Sequence, residues 1–235
     1  MFRNVAKSML VGRQRECELL ANMLDSRQPE LLALYGRRRI GKTHLIRRFV
    51  EPRAGTYVEV TGTKGGPAGL QRRRFREALE SALTNGQILP DFRSWDDALA
   101  YMTELVERRA AADGAPIVLF FDELPWLATP RSKLLESIDY HWNARLSRLP
   151  SVKMVQCGSA ASWMLRRLVH AKGGLHNRIT RRIRLEPFTL AETREYLRRA
   201  RTSLKEKETL ELYMALGGVP YYLSLIERGE SGAQA

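Results

Sequence analysis

The stretch that most restricts the fold is Leu31 to Val50, LLALYGRRRIGKTHLIRRFV. Leu31 to Tyr35 is an unbroken apolar run, the pattern of a strand buried on both faces, and Leu45, Ile46, Phe49 and Val50 recur at helical spacing. Between them Gly36 to Thr43 spells G-x-x-x-x-G-K-T. Glycines there let backbone N–H groups wrap an anion where side chains would block the approach, and the new helix turns its positive end toward the same point. The order strand, glycine loop, helix therefore predicts a phosphate cradle formed by Gly36, Arg37, Arg38, Arg39, Ile40, Gly41, Lys42, Thr43 and His44. Lys42 is placed to reach β- and γ-phosphates, and the Thr43 hydroxyl to ligate Mg²⁺.

A second constellation follows Ile117 to Phe121, IVLFF, a fully apolar strand that ends in Asp122-Glu123. Carboxylates at the carboxyl end of a buried parallel strand lie where open α/β sheets bind ligands. Asp122 is expected to hold Mg²⁺ through its water shell, and Glu123 to polarise an attacking water. The short pattern alone would also suit two acids in an exposed loop; its position after the phosphate loop favours the chemical reading.

The other elements alternate in the same way. Val11-Gly12-Arg13 precedes an amphipathic helix carrying Glu16, Leu19, Leu20, Met23 and Leu24. Thr56 to Val60 reads as a strand, Leu70 to Leu83 as a helix with basic residues outside, and Trp95 to Ala112 as a helix capped by Ser94. Leu134 to Leu146 is predicted helical, Val152 to Cys157 a strand, and Ile183 to Leu185 a short last strand before Pro187. Gly173-Gly174 marks a loop. Ser159, at a strand end, has two readings: contact with a γ-phosphate or attacking water, or the cap of the helix beginning at Ala160. From Thr189 onward the pattern is helical, over 190–200, 206–216 and 221–227, and the residues from Gly229 to Ala235 are expected to fray. This alternation implies a parallel sheet with helices on both faces and a helical lid.

Composition narrows the class further. The 235 residues are 44% apolar, enough for a packed core, and no apolar run is long enough to span a bilayer. The N-terminal MFRNVAKSML lacks a signal-peptide core, so a soluble cytoplasmic protein with no membrane partner is expected. Cys17 and Cys157, without a C-x-x-C, read as ordinary buried thiols rather than a disulfide or zinc site. With 39 Lys and Arg against 26 Asp and Glu the net charge is +13. Such a chain attracts polyanions, DNA, RNA or an acidic partner, although a solvated basic surface fits the spread of charge as well.

YGRRRIGKT, Val11-Gly12-Arg13 with Glu16, IVLFFDELPWL, the GSA after the fourth strand and GGVPYYL occur in one order, and together they resemble the archaeal-type ATPases among the AAA-plus and STAND branches of P-loop NTPases. The resemblance runs from Val11 to about Leu225. It implies a three-layer α/β P-loop NTPase with strand order 5-1-4-3-2, the α/β domain over 1–187 and a small helical lid over 188–235, which relatives usually extend with further domains. It also implies that Val11, Gly12 and Arg13 on one side and Gly218 to Pro220 on the other flank an adenine, with Pro220 packed on the base. Arg178 is implied as an arginine sensing the γ-phosphate, in cis or from a neighbouring subunit, with Arg181 and Arg182 as competitors. The expected activity is Mg²⁺-dependent ATP binding and hydrolysis driving a conformational switch, linked to nucleic acid, a partner protein or a homo-oligomer, with ATP, ADP and Mg²⁺ as ligands. A non-hydrolysing ATP-binding scaffold or DNA-associated regulatory module is the alternative.

Overall fold

The computed structural model describes residues 10–169, 178–202 and 204–226. Its centre is a sheet of five parallel strands, β1 (Glu30–Tyr35), β2 (Thr56–Thr61), β3 (Ile117–Asp122), β4 (Val152–Gly158) and β5 (Arg181–Arg184), in the order β2-β3-β4-β1-β5. This is the expected 5-1-4-3-2 arrangement. It places β1 and β3 on either side of β4, so the loops at their carboxyl ends lie two strands apart.

Alternation along the strands divides the core. Leu31 and Ala33 of β1, with Ile117, Leu119 and Phe121 of β3, face one hydrophobic layer; Leu32 and Leu34, with Val118 and Phe120, face the other. Helix α1 (Gln14–Leu24) contributes Leu20, Met23 and Leu24 to the second layer. So does α2 (Lys42–Leu45), which continues through a π-helical turn, Ile46–Val50. The first layer is covered by α3 (Ala68–Leu83), α4 (Trp95–Asp113), α5 (Leu124–Leu127) and α6 (Leu134–Ala144), among which Phe75, Trp95 and Phe121 form an aromatic cluster. As predicted, Ser94 caps α4, its hydroxyl accepting the Asp97 N–H at 3.0 Å. Helix α7 (Ala161–Met164) follows β4.

Beyond the sheet lie α8 (Leu190–Arg199), α9 (Glu206–Leu216) and α10 (Pro220–Leu223). Phe188, Tyr196, Leu197 and Leu223 join Val11 in a small core of their own. Thr189 and Glu192 form a reciprocal capping box at α8. The final described helix ends at Leu223, earlier than the hydrophobic pattern implied; Glu227, the 229–235 stretch and the Gly173-Gly174 loop lie outside the described residues.

Three local readings are corrected. β5 begins at Arg181 rather than Ile183: Thr180 brackets Leu31, donating its N–H to the Leu31 carbonyl at 2.9 Å and accepting the Leu31 N–H at 3.0 Å on its hydroxyl. Arginines on this edge strand hide it from an apolar pattern, since Arg181 pairs with Glu30 and Arg184 with Glu186. α5, directly after Glu123, is an element that periodicity does not reveal. Cys157 is fully buried, but Cys17 is only half-buried. Among the described residues no helix is long and apolar enough to cross a membrane.

Candidate functional site

Gly36 leaves β1 with φ 152°, and a Cβ there would stand 2.2 Å from the Leu185 carbonyl oxygen, so only glycine lets the chain turn against the segment after β5. The loop returns at Gly41, φ 92°, and α2 starts with Lys42. The Lys42 ammonium is buried and donates to the carbonyl oxygens of Gly36 at 3.0 Å and Arg37 at 2.8 Å. Burial lowers its pKa, which the nearby Glu123 and Asp122 charges oppose.

The Thr43 hydroxyl donates to Asp122 Oδ2 at 2.8 Å, joining the first turn of α2 to the end of β3. Asp122 is buried, and burial raises its carboxyl pKa, opposed by the hydrogen bonds of Thr43 and the Cys157 thiol. Oδ1 of Asp122 accepts the Glu123 N–H at 3.0 Å. Glu123 itself sits at φ 48°, ψ 48°. This left-handed conformation reverses the chain into α5 and aims the carboxylate across to β4. There Glu123 Oε2 accepts both the N–H and the hydroxyl of Ser159, at 3.2 and 2.9 Å. Arg38 completes the row: its Nε donates to Ser159 Oγ at 3.3 Å and its guanidinium lies 4.9 Å from the centre of the Trp126 ring.

Over the loop from Gly36 to Thr43 opens a cleft of about 570 Å³. Its far wall is apolar: Val11, Phe188, Tyr196 and Pro220, with Tyr221 beside them. Arg13 fastens this wall to the loop, donating to the Ile40 carbonyl at 3.3 Å while its guanidinium covers Phe188 at 4.9 Å. Arg39 does the same from below: its carbonyl accepts the Tyr221 N–H at 3.2 Å, its guanidinium donates to the Tyr222 hydroxyl at 3.0 Å and lies over both tyrosine rings. Gly218 makes the approach of α10 feasible, with φ 66° and a carbonyl that accepts the Phe188 N–H at 2.8 Å.

Of the residues singled out from sequence, Val11, Arg13, Arg38, Arg39, Ile40, Gly41, Lys42, Thr43, His44, Glu123 and Pro220 line one cleft. Gly36 and Arg37 meet Lys42 through their carbonyls, Asp122 stands behind Thr43, and Gly12 packs against Glu192 outside the lining. Ser159 does not cap the following helix: α7 begins after Ala160 without a side-chain cap, and the serine holds Glu123 instead. Arg178 is exposed and lies two residues before Thr180, which pairs with Leu31 at the amino end of β1. That is the opposite end of the sheet from Gly36. Phe188, Tyr196, Trp126 and Tyr221 line the cleft without a role assigned from sequence; Tyr221 carries a signal as the neighbour of Pro220 in GGVPYYL, and Trp126 as part of IVLFFDELPWL.

The sequence profile of a family described as an ATPase domain predominantly from Archaea matches residues 10–226. An uncharacterized protein of Methanocaldococcus jannaschii is 26% identical over 222 residues, covering 93% of this chain and 44% of that protein. Among solved structures, the Walker-type ATPase of Pyrococcus abyssi superposes with a TM-score of 0.67 at 20% identity, over 92% of this chain and 66% of the other. The ORC2 protein of Aeropyrum pernix, solved as ADPNP and ADP complexes, gives 0.64 at 16% identity, over 91% and 60%. The chain thus spans less than half the length of the M. jannaschii relative and about two thirds of the P. abyssi protein. At these identities the structural likeness establishes the fold, that of a P-loop NTPase.

Proposed function

We propose, from the premise that the chain belongs to the family of ATPase domains found predominantly in Archaea, that the cleft binds ATP and hydrolyses its γ-phosphate. The observation that carries this reading is the 2.8 Å hydrogen bond between Thr43 and Asp122, which brings a hydroxyl and a carboxylate together beside Lys42 and Glu123. Two hard oxygen donors from different elements fit Mg²⁺, which takes few protein ligands and completes its shell with water and phosphate oxygens. When bound there, Mg²⁺ would neutralise charge on the phosphate oxygens.

The chain's own residues would divide the rest. Lys42 would exchange its two carbonyl acceptors for β- and γ-phosphate oxygens, and the loop from Gly36 to Thr43 would supply backbone N–H groups. Val11, Phe188, Tyr196 and Pro220 offer a base an apolar slot. Glu123, steadied by Ser159, would orient the water that attacks phosphorus as the bond to the β-phosphate oxygen breaks. Arg178 lies near the amino end of β1, the opposite end of the sheet from Gly36, which favours a contribution to a second copy's site over one in cis. Without such an arginine turnover is expected to be slow, since that group is worth roughly 10³ to 10⁵ in rate.

Arg39 and Arg13 tie the loop to the helices beyond Phe188, so hydrolysis would act on the seating of that lid and make the chain a nucleotide-driven switch. The +13 charge supports a nucleic-acid partner for the switch. The test is hydrolysis and nucleotide binding by wild type, Glu123→Gln and Lys42→Ala. Glu123→Gln is expected to keep binding and lose hydrolysis by roughly 10² or more, while Lys42→Ala loses binding. A wild type that binds ATP without hydrolysing it, with Glu123→Gln indistinguishable from it, would leave the cleft as a non-hydrolysing ATP-binding scaffold; unchanged hydrolysis in Glu123→Gln would remove Glu123 from the water-orienting role.

A further inference from the structure

A second cleft, of about 600 Å³, opens between the start of α4, the first turn of α3 and the segment 129–140. Four cations line it, Arg72, Arg93, Arg131 and Lys133, against two carboxylates, Asp96 and Glu136. Asp96 lies 3.3 Å from His141 Nε2, and Arg72 donates to the Phe92 carbonyl. Arg93, Arg131 and Lys133 are exposed and have no ion pair among the described residues.

Elsewhere some exposed arginines pair with carboxylates, Arg47 with Glu59, Arg184 with Glu186, Arg194 with Glu206 and Arg198 with Glu195, and others, Arg27 and Arg182 among them, have no ion pair among the described residues. What sets this cleft apart is the grouping: its unpaired cations stand around one concavity that also holds an exposed ring and a buried donor. Arg131 and Lys133 hold left-handed backbone, at φ 66° and 56°, conformations that cost energy for side chains of that size and that turn the segment back over the cleft. Beside them Tyr140 presents its ring to solvent, 63% exposed, and Trp95 lines the same space with its buried indole N–H lacking an acceptor.

Cations, an exposed aromatic ring and a concave floor are the elements by which single strands are held, the cations on phosphates and the ring on an unpaired base. A duplex offers no free base face to the ring. We propose that this second cleft binds a single-stranded nucleic acid, with Arg93, Arg131 and Lys133 on the phosphodiester backbone and a base on Tyr140. The proposal rests on the reading of the basic charge as a nucleic-acid surface and names where on the molecule that surface lies. The cleft also borders the chain that carries Glu123: only α5 separates that carboxylate from Thr129 at the cleft edge.

The experiment is fluorescence anisotropy of the full chain, free of nucleotide, with a labelled thymidine oligomer of about 20 residues and a duplex of equal length, at roughly 50 to 200 mM salt. Arg131→Glu with Lys133→Glu is compared with Arg27→Glu plus Arg182→Glu, a pair of exposed arginines that makes the same charge change at the amino end of the sheet. The cleft pair is expected to lose roughly tenfold to a hundredfold in affinity and to flatten the logarithmic salt slope by about 1.4, two phosphates at ~0.7 each. The control pair should stay near wild type, and the single strand should bind more tightly than the duplex. Tyr140→Ala, at an exposed position that folding tolerates, is expected to weaken the single strand by roughly tenfold, with Tyr140→Phe retaining binding. Equal losses in the control pair, or no loss in Tyr140→Ala and the cleft pair while wild type binds, would overturn the cleft and leave the nucleic-acid reading standing. A wild type that binds neither oligomer would overturn both.

Discussion

Asp122 sits in the site at a cost to the folded chain. Burial raises its carboxyl pKa above the unfolded value, so between the two values the folded state holds the proton more often, and stability falls as pH rises through that window. Above it the ionised carboxylate is a standing penalty, softened by Thr43. Asp122→Asn keeps an oxygen for the Thr43 hydroxyl and removes the charge, at the smaller cost of the acceptor for the half-exposed Glu123 N–H. In magnesium-free buffer it is expected to raise the unfolding midpoint at neutral pH, by about 2–4 °C for each kcal/mol recovered, and to match wild type once acid has protonated Asp122. A thermal-melt series from pH 4 to 8 reads this out; a variant less stable than wild type at neutral pH would refute it. The gain would accompany loss of hydrolysis, as expected where a site keeps a group that function needs and folding does not. At this scale the sequence was informative where chemistry is local. Lys42, Thr43, Asp122 and Glu123 could be named from spacing because each follows a strand within a residue or a short loop. Ser159 could not be assigned between two roles, because what decides it is Glu123 reaching across from β3, a contact 36 residues away in the chain.

Elements were legible in proportion to how strongly their own residues dictate them. β1 and β3 carry unbroken apolar runs and α4 carries its own cap, so their positions follow from periodicity and capping. α5 follows from neither. It exists because Glu123 turns left-handed and because Gly62 lets the Glu123 carbonyl approach to where a Cβ would stand only 2.5 Å away. The connection to α10 has the same origin. Gly218 is held at φ 66°, and a Cβ would meet the Phe188 carbonyl oxygen at 2.1 Å. Gly218→Ala must therefore either strain the backbone or move α10 off Phe188. A loss of roughly 1–3 kcal/mol is expected from strain and the broken hydrogen bond. Proteolysis should then cut near 217–226 several-fold faster, while the sheet keeps its circular-dichroism signature. An alanine variant with wild-type proteolysis would show that the contact bears no strain.

On the scale of the whole molecule the order β2-β3-β4-β1-β5 does more than set the cleft between β1 and β3. β1 is made before both its neighbours, β4 and β5, which begin only at Val152 and Arg181. A nascent chain on the ribosome thus carries ELLALY with two bare edges until Val152 to Gly158 has emerged, and such an apolar ribbon is prone to join copies of itself. A product stopped at Pro150 should accumulate as an insoluble aggregate, whereas the 235-residue chain stays in the supernatant of the same lysate. Equal solubility of the two would refute it. The half of this protein that carries β1, Lys42 and Thr43 therefore cannot mature as translation passes it: it must wait, shielded by chaperones or by the speed of synthesis, for a strand not yet written.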